Sequence, residues 1–203
     1  MKIICVGRNY AEHAKELGNA VPEAPVLFMK AKNALLLPGK PFYYPEFTQD
    51  VHYEAELVVK ICKNGKHVAE RFARKYYEQI TVGLDFTARD LQQRQKEKGL
   101  PWEIAKAFDD SAAVGQFQPI PEGKDVQDYR FELRKNGITV QQGHAADMLN
   151  SINKVIAYAS TFFSLNTGDL LFTGTPAGVG PIALNDRLEA FLEDQSVLEV
   201  LIK

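Results

Sequence analysis

The sequence predicts a mixed α+β fold in which strands predominate and the helices are short. Residues 51–62 alternate strictly between apolar and polar side chains, which is the period of a β-strand. Asn136-Gly137 separates two strand-like runs and is a strong hairpin signal. Strand-like segments outnumber helical ones and do not alternate regularly with them, which argues against a doubly wound fold.

The N-terminal elements are a strand, a helix and a second strand. Ile3–Val6 is a short apolar run typical of a buried strand. Asn9 is a favourable N-cap for a helix over residues 10–17, and Gly18 is a suitable C-terminal stop. Val26–Lys30 has the composition of another strand.

The central region carries the clearest strand, at Val51–Cys62. A helix is predicted over Glu70–Gln79, followed by an apolar strand, Ile80–Leu84, that ends at an aspartate. Thr87 is a plausible cap for a polar helix that runs to residue 98, where Gly99 ends it.

The C-terminal half contains a hairpin, one amphipathic helix and further strands, without repeats or long Pro/Gly/Ser linkers. We therefore predict one domain over residues 1–203. The helix is Ser151–Phe163, and the strands are Phe131–Lys135, Ile138–Gln142, Leu170–Thr173, Arg187–Leu192 and Val197–Ile202.

Composition excludes several classes of function. With 24 basic and 26 acidic side chains, the net charge is −2 and the basic residues are scattered, so nucleic-acid binding is not expected. Two cysteines are too few for a disulfide framework, and no segment approaches the length of a membrane span. We expect a cytoplasmic protein with no membrane or nucleic-acid partner.

Three carboxylates are the candidate metal ligands. Glu54 and Glu56 lie two apart on the predicted strand, so their side chains share a face with Cα atoms about 6.5–7 Å apart. Asp85 ends an apolar run, where a buried carboxylate is costly unless it is paired or binds a metal. Carboxylates without cysteine or a histidine pair suit a hard ion, Mg²⁺ or Mn²⁺.

Each of these residues also has a simpler interpretation. Glu54 and Glu56 alone are more typical of the solvent-exposed face of a half-exposed strand. Asp85 could cap a helix or form a salt bridge with Arg89.

Two further patterns carry weaker signals. His13 and Glu16 lie three apart on the predicted helix, so Glu16 could orient His13 as a general base, although such a pair is often only exposed. Lys106 lies among mostly apolar neighbours, either as a snorkelling surface lysine or as a cation aimed at substrate oxygens. The glycine-rich segment 174–181 lacks a phosphate-loop ending, but its amides could approach a carboxylate closely.

Five separated motifs occur in order over nearly the whole chain. They are Gly7-Arg8-Asn9-Tyr10 with His13 and Glu16, His52-x-Glu54-x-Glu56, Leu84 to Gln92, Gly99-Leu100-Pro101-Trp102 with Lys106, and Gly168-Asp169 through Thr173-Gly174-Thr175-Pro176. Together they resemble the fumarylacetoacetate hydrolase family, and most closely its short acylpyruvase branch. One departure is His144-Ala145-Ala146, where the family commonly has an amide and a hydroxyl residue.

The resemblance implies a mixed β-roll or barrel with flanking short helices, usually a homodimer, and a site at the open end of the roll. It implies Glu54, Glu56 and Asp85 as ligands of Mg²⁺ or Mn²⁺. It also implies three catalytic residues, His13, Glu16 and Lys106, and three residues that contact substrate, Arg8, Gln92 and Thr175.

The resulting hypothesis is hydrolysis of the C3–C4 bond of an acylpyruvate-type 2,4-dioxo acid to pyruvate and a carboxylic acid. His13 would activate the water, and the divalent ion with Lys106 would stabilise the pyruvate enolate. Oxaloacetate decarboxylation and isomerisation of a 2-hydroxyhepta-2,4-diene-1,7-dioate are alternatives at the same site. A non-catalytic domain that binds a metal or a small 2-oxo acid is the rival from another class.

Overall fold

Strands make up most of the regular structure in the computed structural model, which describes residues 1–16 and 22–203. The helices are α1 (Ala11–Glu16), α2 (Glu70–Ala73), α3 (Arg89–Lys98), α4 (Glu103–Lys106) and α5 (Ile152–Phe162). The strands are β1 (Ile3–Gly7), β2 (Val26–Lys30), β3 (Val51–Tyr53), β4 (Ala55–Ile61), β5 (Tyr77–Asp85), β6 (Thr87–Ala88), β7 (Ala112–Val114), β8 (Gln118–Pro119), β9 (Arg130–Lys135), β10 (Ile138–His144), β11 (Leu170–Phe172), β12 (Gly180–Pro181), β13 (Arg187–Leu192) and β14 (Gln195–Leu201).

The strands form three sheets. The largest has the order β2-β1-β11-β4-β5-β7, with β8 also paired to β5; β1 and β11 are parallel and the other pairs antiparallel. A second sheet has the order β10-β9-β13-β14, and a third the order β12-β3-β6. Among the described residues none of these sheets closes on itself, so the mixed, strand-rich α+β fold is confirmed in its open roll form.

The predicted hairpin is confirmed as β9 and β10. Asn136 and Gly137 have φ values of 53° and 81°, the left-handed conformation that a two-residue turn with matching twist requires. The predicted C-terminal amphipathic helix is also confirmed, since the Ser151 side chain accepts a hydrogen bond from the backbone N–H of Lys154 at the start of α5.

The helix predicted over residues 70–79 is wrong in length. Helix α2 ends at Ala73, a 3₁₀ turn follows, and the chain is already in β5 at Tyr77. Tyr77 is fully buried and its hydroxyl donates to Asn153 on α5, so tertiary packing places it in the sheet.

Two side chains that were predicted to cap helices do not do so. The side chain of Asn9 donates to the carbonyls of Asn150 and Thr173 and so joins β1 to distant segments rather than capping α1. Helix α3 ends at Gly99 as predicted, with φ 63°, but Thr87 does not cap its start. Helix α1 is described to Glu16, and the predicted end at residues 17 and 18 lies outside the described residues.

One cluster of buried apolar side chains draws on residues from Ile4 to Ile202. This is what a single domain requires, and the one-domain prediction over residues 1–203 stays a prediction. No helix in the described part of the chain has the length and apolar character needed to span a membrane.

Candidate active site

Strands β4 and β5 bring the predicted metal ligands together. The long strand predicted over residues 51–62 is interrupted at Glu54, which lies between β3 and β4. Strand β4 runs antiparallel to β5, and the backbone N–H of Asp85, at the end of β5, donates to the Glu54 carbonyl at 2.9 Å. Glu56 pairs with Gly83 in the same ladder, so the three carboxylates lie at one end of this strand pair.

The carboxylates of Glu54, Glu56 and Asp85 are close together and buried. Each offers one oxygen, and these oxygens lie within 4.8 Å of one another. The three residues are 5%, 2% and 0% exposed. The alternation in this strand therefore does not mark a wet face, because both glutamates point into the protein.

Two cations hold Glu54. The Lys106 ammonium donates to Glu54 Oε2 at 2.7 Å, to Asp85 Oδ2 at 2.8 Å and to Thr87 Oγ1 at 2.6 Å. Arg89 donates to the other Glu54 oxygen at 2.6 Å. Lys106 is 3% exposed, so it is not a snorkelling surface lysine, and the alternative ion pair between Asp85 and Arg89 is not formed.

A second buried lysine, Lys30, lies behind Asp85. Its ammonium donates to the backbone carbonyls of Lys106 and Ser111 and to the Ser111 hydroxyl, which uses its three protons. Lys30 Nζ is 2.7 Å from Asp85 Oδ1, but this oxygen has no hydrogen-bonding partner in the described residues. We interpret the contact as a close charge pair without hydrogen-bond alignment, because the lysine protons are directed elsewhere.

Sequence analysis did not single out Lys30 or Arg89 as site residues. Lys30 ends a strand-like run, where a lysine usually turns to solvent. Its 1% exposure results from tertiary packing against residues far along the chain.

Electrostatics separate the two glutamates. Burial would raise the pKa of Glu54, but the charges of Lys106 and Arg89 outweigh burial and hold this pKa well below its usual range. Burial, together with the negative charges of Asp85 and Glu54, raises the pKa of Glu56 well above its usual range. Among the described residues no cation forms an ion pair with Glu56, whose oxygen accepts a hydrogen bond from the Gly174 N–H at 2.7 Å.

This donor set fits a hard divalent cation. Three buried carboxylates converge, and Asp85 Oδ1 has a lone pair without a hydrogen-bond partner in the part of the chain described. Glu56 has no ion pair there either, so a cation at this point would supply charge that the protein does not. Oxygen ligands of this kind are those that Mg²⁺ and Mn²⁺ prefer.

The predicted histidine–glutamate pair is formed. His13 Nδ1 lies 3.1 Å from Glu16 Oε2, and His13 is 5% exposed. If Nδ1 carries the proton that Glu16 accepts, the lone pair is on Nε2. The second Glu16 oxygen accepts from the Gly178 N–H at 3.0 Å, so the glycine-rich loop fixes the pair in position.

The loop after β11 approaches a carboxylate closely, as its glycines predict, but this carboxylate is the protein's own Glu56. Gly174 has φ 96°, and a Cβ there would lie 2.7 Å from Asn9 Cβ, so glycine is required. Next to it, Thr175 Oγ1 accepts a hydrogen bond from Gln141 at 2.9 Å, and Gln141 Oε1 accepts one from the Ala55 N–H.

A cleft that is partly open to solvent brings together eight of the nine predicted site residues. Glu16 does not line it but lies behind His13. His144 belongs to a separate surface depression. The cleft is lined by Val6, Gly7, Arg8, His13, Phe28, Glu54, Glu56, Asp85, Arg89, Gln92, Lys96, Trp102, Lys106 and Thr175.

Known proteins are similar to this chain in sequence and in fold. The family model for the fumarylacetoacetate (FAA) hydrolase C-terminal region matches residues 2–203. Oxaloacetate tautomerase YcgM of Escherichia coli (strain K12) is 44% identical over 197 residues, covering 97% of this chain and 90% of that protein. The mitochondrial oxaloacetate tautomerase FAHD1 of Mus musculus is 42% identical over 191 residues, covering 94% and 86%.

A solved structure also supports membership of this family. The crystal structure of fumarylpyruvate hydrolase from Pseudomonas aeruginosa, in complex with Mn²⁺ and pyruvate, superposes with a TM-score of 0.93 at 37% identity. The match covers 100% of this chain and 89% of the solved chain. The chain belongs to the fumarylacetoacetate hydrolase family.

Proposed function

We propose that the protein is a metal-dependent oxaloacetate tautomerase, which moves a proton between C3 and the C2 oxygen of this 2-oxo acid. The observation that carries the proposal is a buried cluster of three carboxylates in one cleft with an oriented histidine. The relatives named oxaloacetate tautomerases support the choice of substrate, because they match more than nine tenths of the chain.

Glu54, Glu56 and Asp85 would hold Mg²⁺ or Mn²⁺. Such an ion supplies Lewis acidity, which polarises the oxygens of a 2-oxo acid and makes its C3 protons more acidic. The three side chains are held in place by the β4–β5 ladder and by buried hydrogen bonds, so little reorganisation is needed to bind a cation.

His13 is the proposed base at C3. With a proton on Nδ1, His13 donates a hydrogen bond to Glu16, which leaves the Nε2 lone pair to take a proton from C3 and later return it. Because Glu16 is itself held by the Gly178 amide, the imidazole keeps this orientation through the reaction.

Lys106 is proposed to stabilise negative charge as it develops on the substrate. Asp85 and Glu54 raise the pKa of Lys106 despite the opposing effect of burial, so the ammonium remains charged. A fixed cation in a buried site stabilises a developing enolate without reorganising solvent. Phe28 and Trp102 give the cleft an apolar wall.

The test is the rate of keto–enol exchange of oxaloacetate, followed by the ultraviolet absorbance of the enol. With Mn²⁺ present, His13→Ala should lower kcat about 10²- to 10⁴-fold. The matched control, His144→Ala, alters a histidine outside the cleft and should leave kcat unchanged. Undiminished exchange in His13→Ala, or in wild-type protein freed of metal by EDTA, would reject the proposal.

Hydrolysis of an acylpyruvate is the second candidate. The His13–Glu16 pair favours it, because a held imidazole could also deprotonate water for attack at a C4 carbonyl. The fumarylpyruvate hydrolase neighbour supports this reaction class. Release of pyruvate from acetylpyruvate or fumarylpyruvate, at a rate exceeding oxaloacetate tautomerisation, would make hydrolysis the principal activity.

The remaining expectations stay predictions. A homodimer is tested by sedimentation equilibrium. The cytoplasmic location is tested by cell fractionation, and the mitochondrial relatives show that location differs within the family. Oxaloacetate decarboxylation is tested by CO₂ release in the same assay. A purely binding role requires that metal and ligand bind while no turnover occurs.

A further inference from the structure

Four basic side chains line the cleft, and they differ in what they contact. Lys106 and Arg89 are bound to Glu54, and Arg89 also donates to Gln92 Oε1 at 2.7 Å. Arg8 and Lys96 form no ion pair and no side-chain hydrogen bond within the described residues. Residues 17–21, which the structure does not describe, contain no aspartate or glutamate that could pair with them.

Lys96 is held inside the cleft rather than directed to solvent. It is half-buried, and its ammonium lies 5.9 Å from the centre of the Trp102 ring. Burial and the positive charges of Arg89 and Arg8 lower the pKa of Lys96, with only a smaller opposing effect from Glu54. A lysine in this environment is stabilised by an anion that the protein itself does not provide.

Helix α3 fixes where Lys96 lies along the cleft. Arg89, Gln92 and Lys96 are spaced i, i+3 and i+7, so they share one face of the helix. Arg89 binds Glu54 at the inner end, and Lys96 is about 10 Å farther along the axis. Lys96 lines the same cleft as the three carboxylates.

Arg8 approaches the cleft from another element. It follows β1 with φ 59°, a left-handed conformation that is unfavourable for a residue with a side chain. Arg8 and Lys96 both line this cleft, and within the described residues neither forms an ion pair. A carboxylate placed between them would be bound by both.

We propose that Lys96 determines substrate specificity by accepting, together with Arg8, the distal carboxylate of a dicarboxylic 2-oxo acid. This inference rests on the proposed function, in which the 2-oxo acid end of the substrate lies at Glu54, Glu56 and Asp85. It adds that the opposite end must be anionic, so four-carbon 2-oxo diacids are bound in preference to 2-oxo acids with a neutral tail.

Equilibrium binding tests this assignment independently of turnover. Two ligands are titrated calorimetrically into Mn²⁺-loaded protein: 3,3-difluorooxaloacetate, which has no C3 proton to lose, and 2-oxobutyrate, in which a methyl group replaces the distal carboxylate. Wild-type protein should bind the diacid more tightly. Lys96→Gln should weaken diacid binding about 10- to 100-fold and leave 2-oxobutyrate binding unchanged.

Two further variants separate charge at this position from general effects. Lys96→Arg keeps the cation and should retain the preference for the diacid. Lys98→Gln removes a lysine from the exposed end of the same helix and should bind both ligands as the wild type does. Equal weakening of both ligands in Lys96→Gln, or no weakening of the diacid, would overturn the role of Lys96. Wild-type protein that binds neither ligand would instead reject the proposed function, and the specificity assignment with it.

Discussion

Among the described residues, Glu56 is the carboxylate of the candidate metal site without a cationic partner, so replacing it should stabilise the metal-free protein and remove most of the stabilisation by metal. Glu54 contacts Lys106 and Arg89, and Asp85 contacts Lys106 and Lys30. Glu56 accepts one hydrogen bond, from the Gly174 amide, and lies beside two negative charges that raise its pKa. In Glu56→Gln the side-chain oxygen can still accept that bond, while the repulsion is removed.

The two effects are measured separately, without and with metal. Without metal, Glu56→Gln should raise the free energy of unfolding, because the neutral amide is not repelled by the charges of Asp85 and Glu54. With Mn²⁺ at 100 times its Kd, the wild-type protein should gain about 2.7 kcal/mol. For a chain of this length that gain raises Tm by about 5–11 °C. Glu56→Gln should gain almost none of it, because a ligand has been lost.

Urea denaturation with EDTA or with Mn²⁺ measures both effects in one experiment. Glu46→Gln is the matched control, since Glu46 is exposed, and it should respond to Mn²⁺ as the wild type does. A lower stability of Glu56→Gln than of the wild type in EDTA would contradict the proposed repulsion at Glu56. The proposed role of Glu56 as a metal ligand would be contradicted equally if Mn²⁺ stabilises the variant as much as the wild type.

Three other substitutions probe the framework of the site. Lys30→Met removes the buried cation beside Asp85 and should lower the free energy of unfolding by about 3–5 kcal/mol. Its control, Lys32→Met, alters an exposed lysine and should change this free energy by less than about 0.5 kcal/mol. Equal effects of the two substitutions in urea denaturation would contradict a structural role for the buried lysine. Gly174→Ala should destabilise the protein more than Gly168→Ala. Both glycines have φ near 90°, but only at Gly174 would a Cβ approach a neighbouring atom, Asn9 Cβ, at 2.7 Å. Equal losses in Tm would show that backbone conformation alone determines the effect. Asn9→Ala leaves the Asn150 N–H and the Asn150 and Thr173 carbonyls without their hydrogen-bond partner. It should therefore lower the free energy of unfolding by about 2–4 kcal/mol. A decrease below about 1 kcal/mol in urea denaturation would show that water replaces these hydrogen bonds.

The sequence predicts well those features that depend on local pattern. The Asn136-Gly137 hairpin, the Ser151 cap of α5 and the Gly99 stop of α3 all follow from residues within a few positions of the feature. The convergence of Asp85 with the two glutamates depends instead on which strands pair. The spacing of apolar residues predicts that the segments carrying Asp85 and the two glutamates are strands. That the three carboxylates meet is implied by the family resemblance.

Features set by tertiary contacts were harder to predict. Lys30 looks like the polar end of a strand, yet it is buried because its partners come from Lys106 and Ser111, far along the chain. Asn9 looks like a helix cap, yet longer-range acceptors compete successfully for its amide. In both cases the sequence shows a hydrogen-bonding group, but only the fold shows which partner it has.

We propose that Glu54, Glu56 and Asp85 together bind one divalent cation. Anomalous diffraction from crystals soaked in Mn²⁺ locates this ion without reference to activity. We expect one strong anomalous peak per chain, in contact with a carboxylate oxygen of each of the three residues. A peak elsewhere, or none between these carboxylates at saturating Mn²⁺, would contradict it.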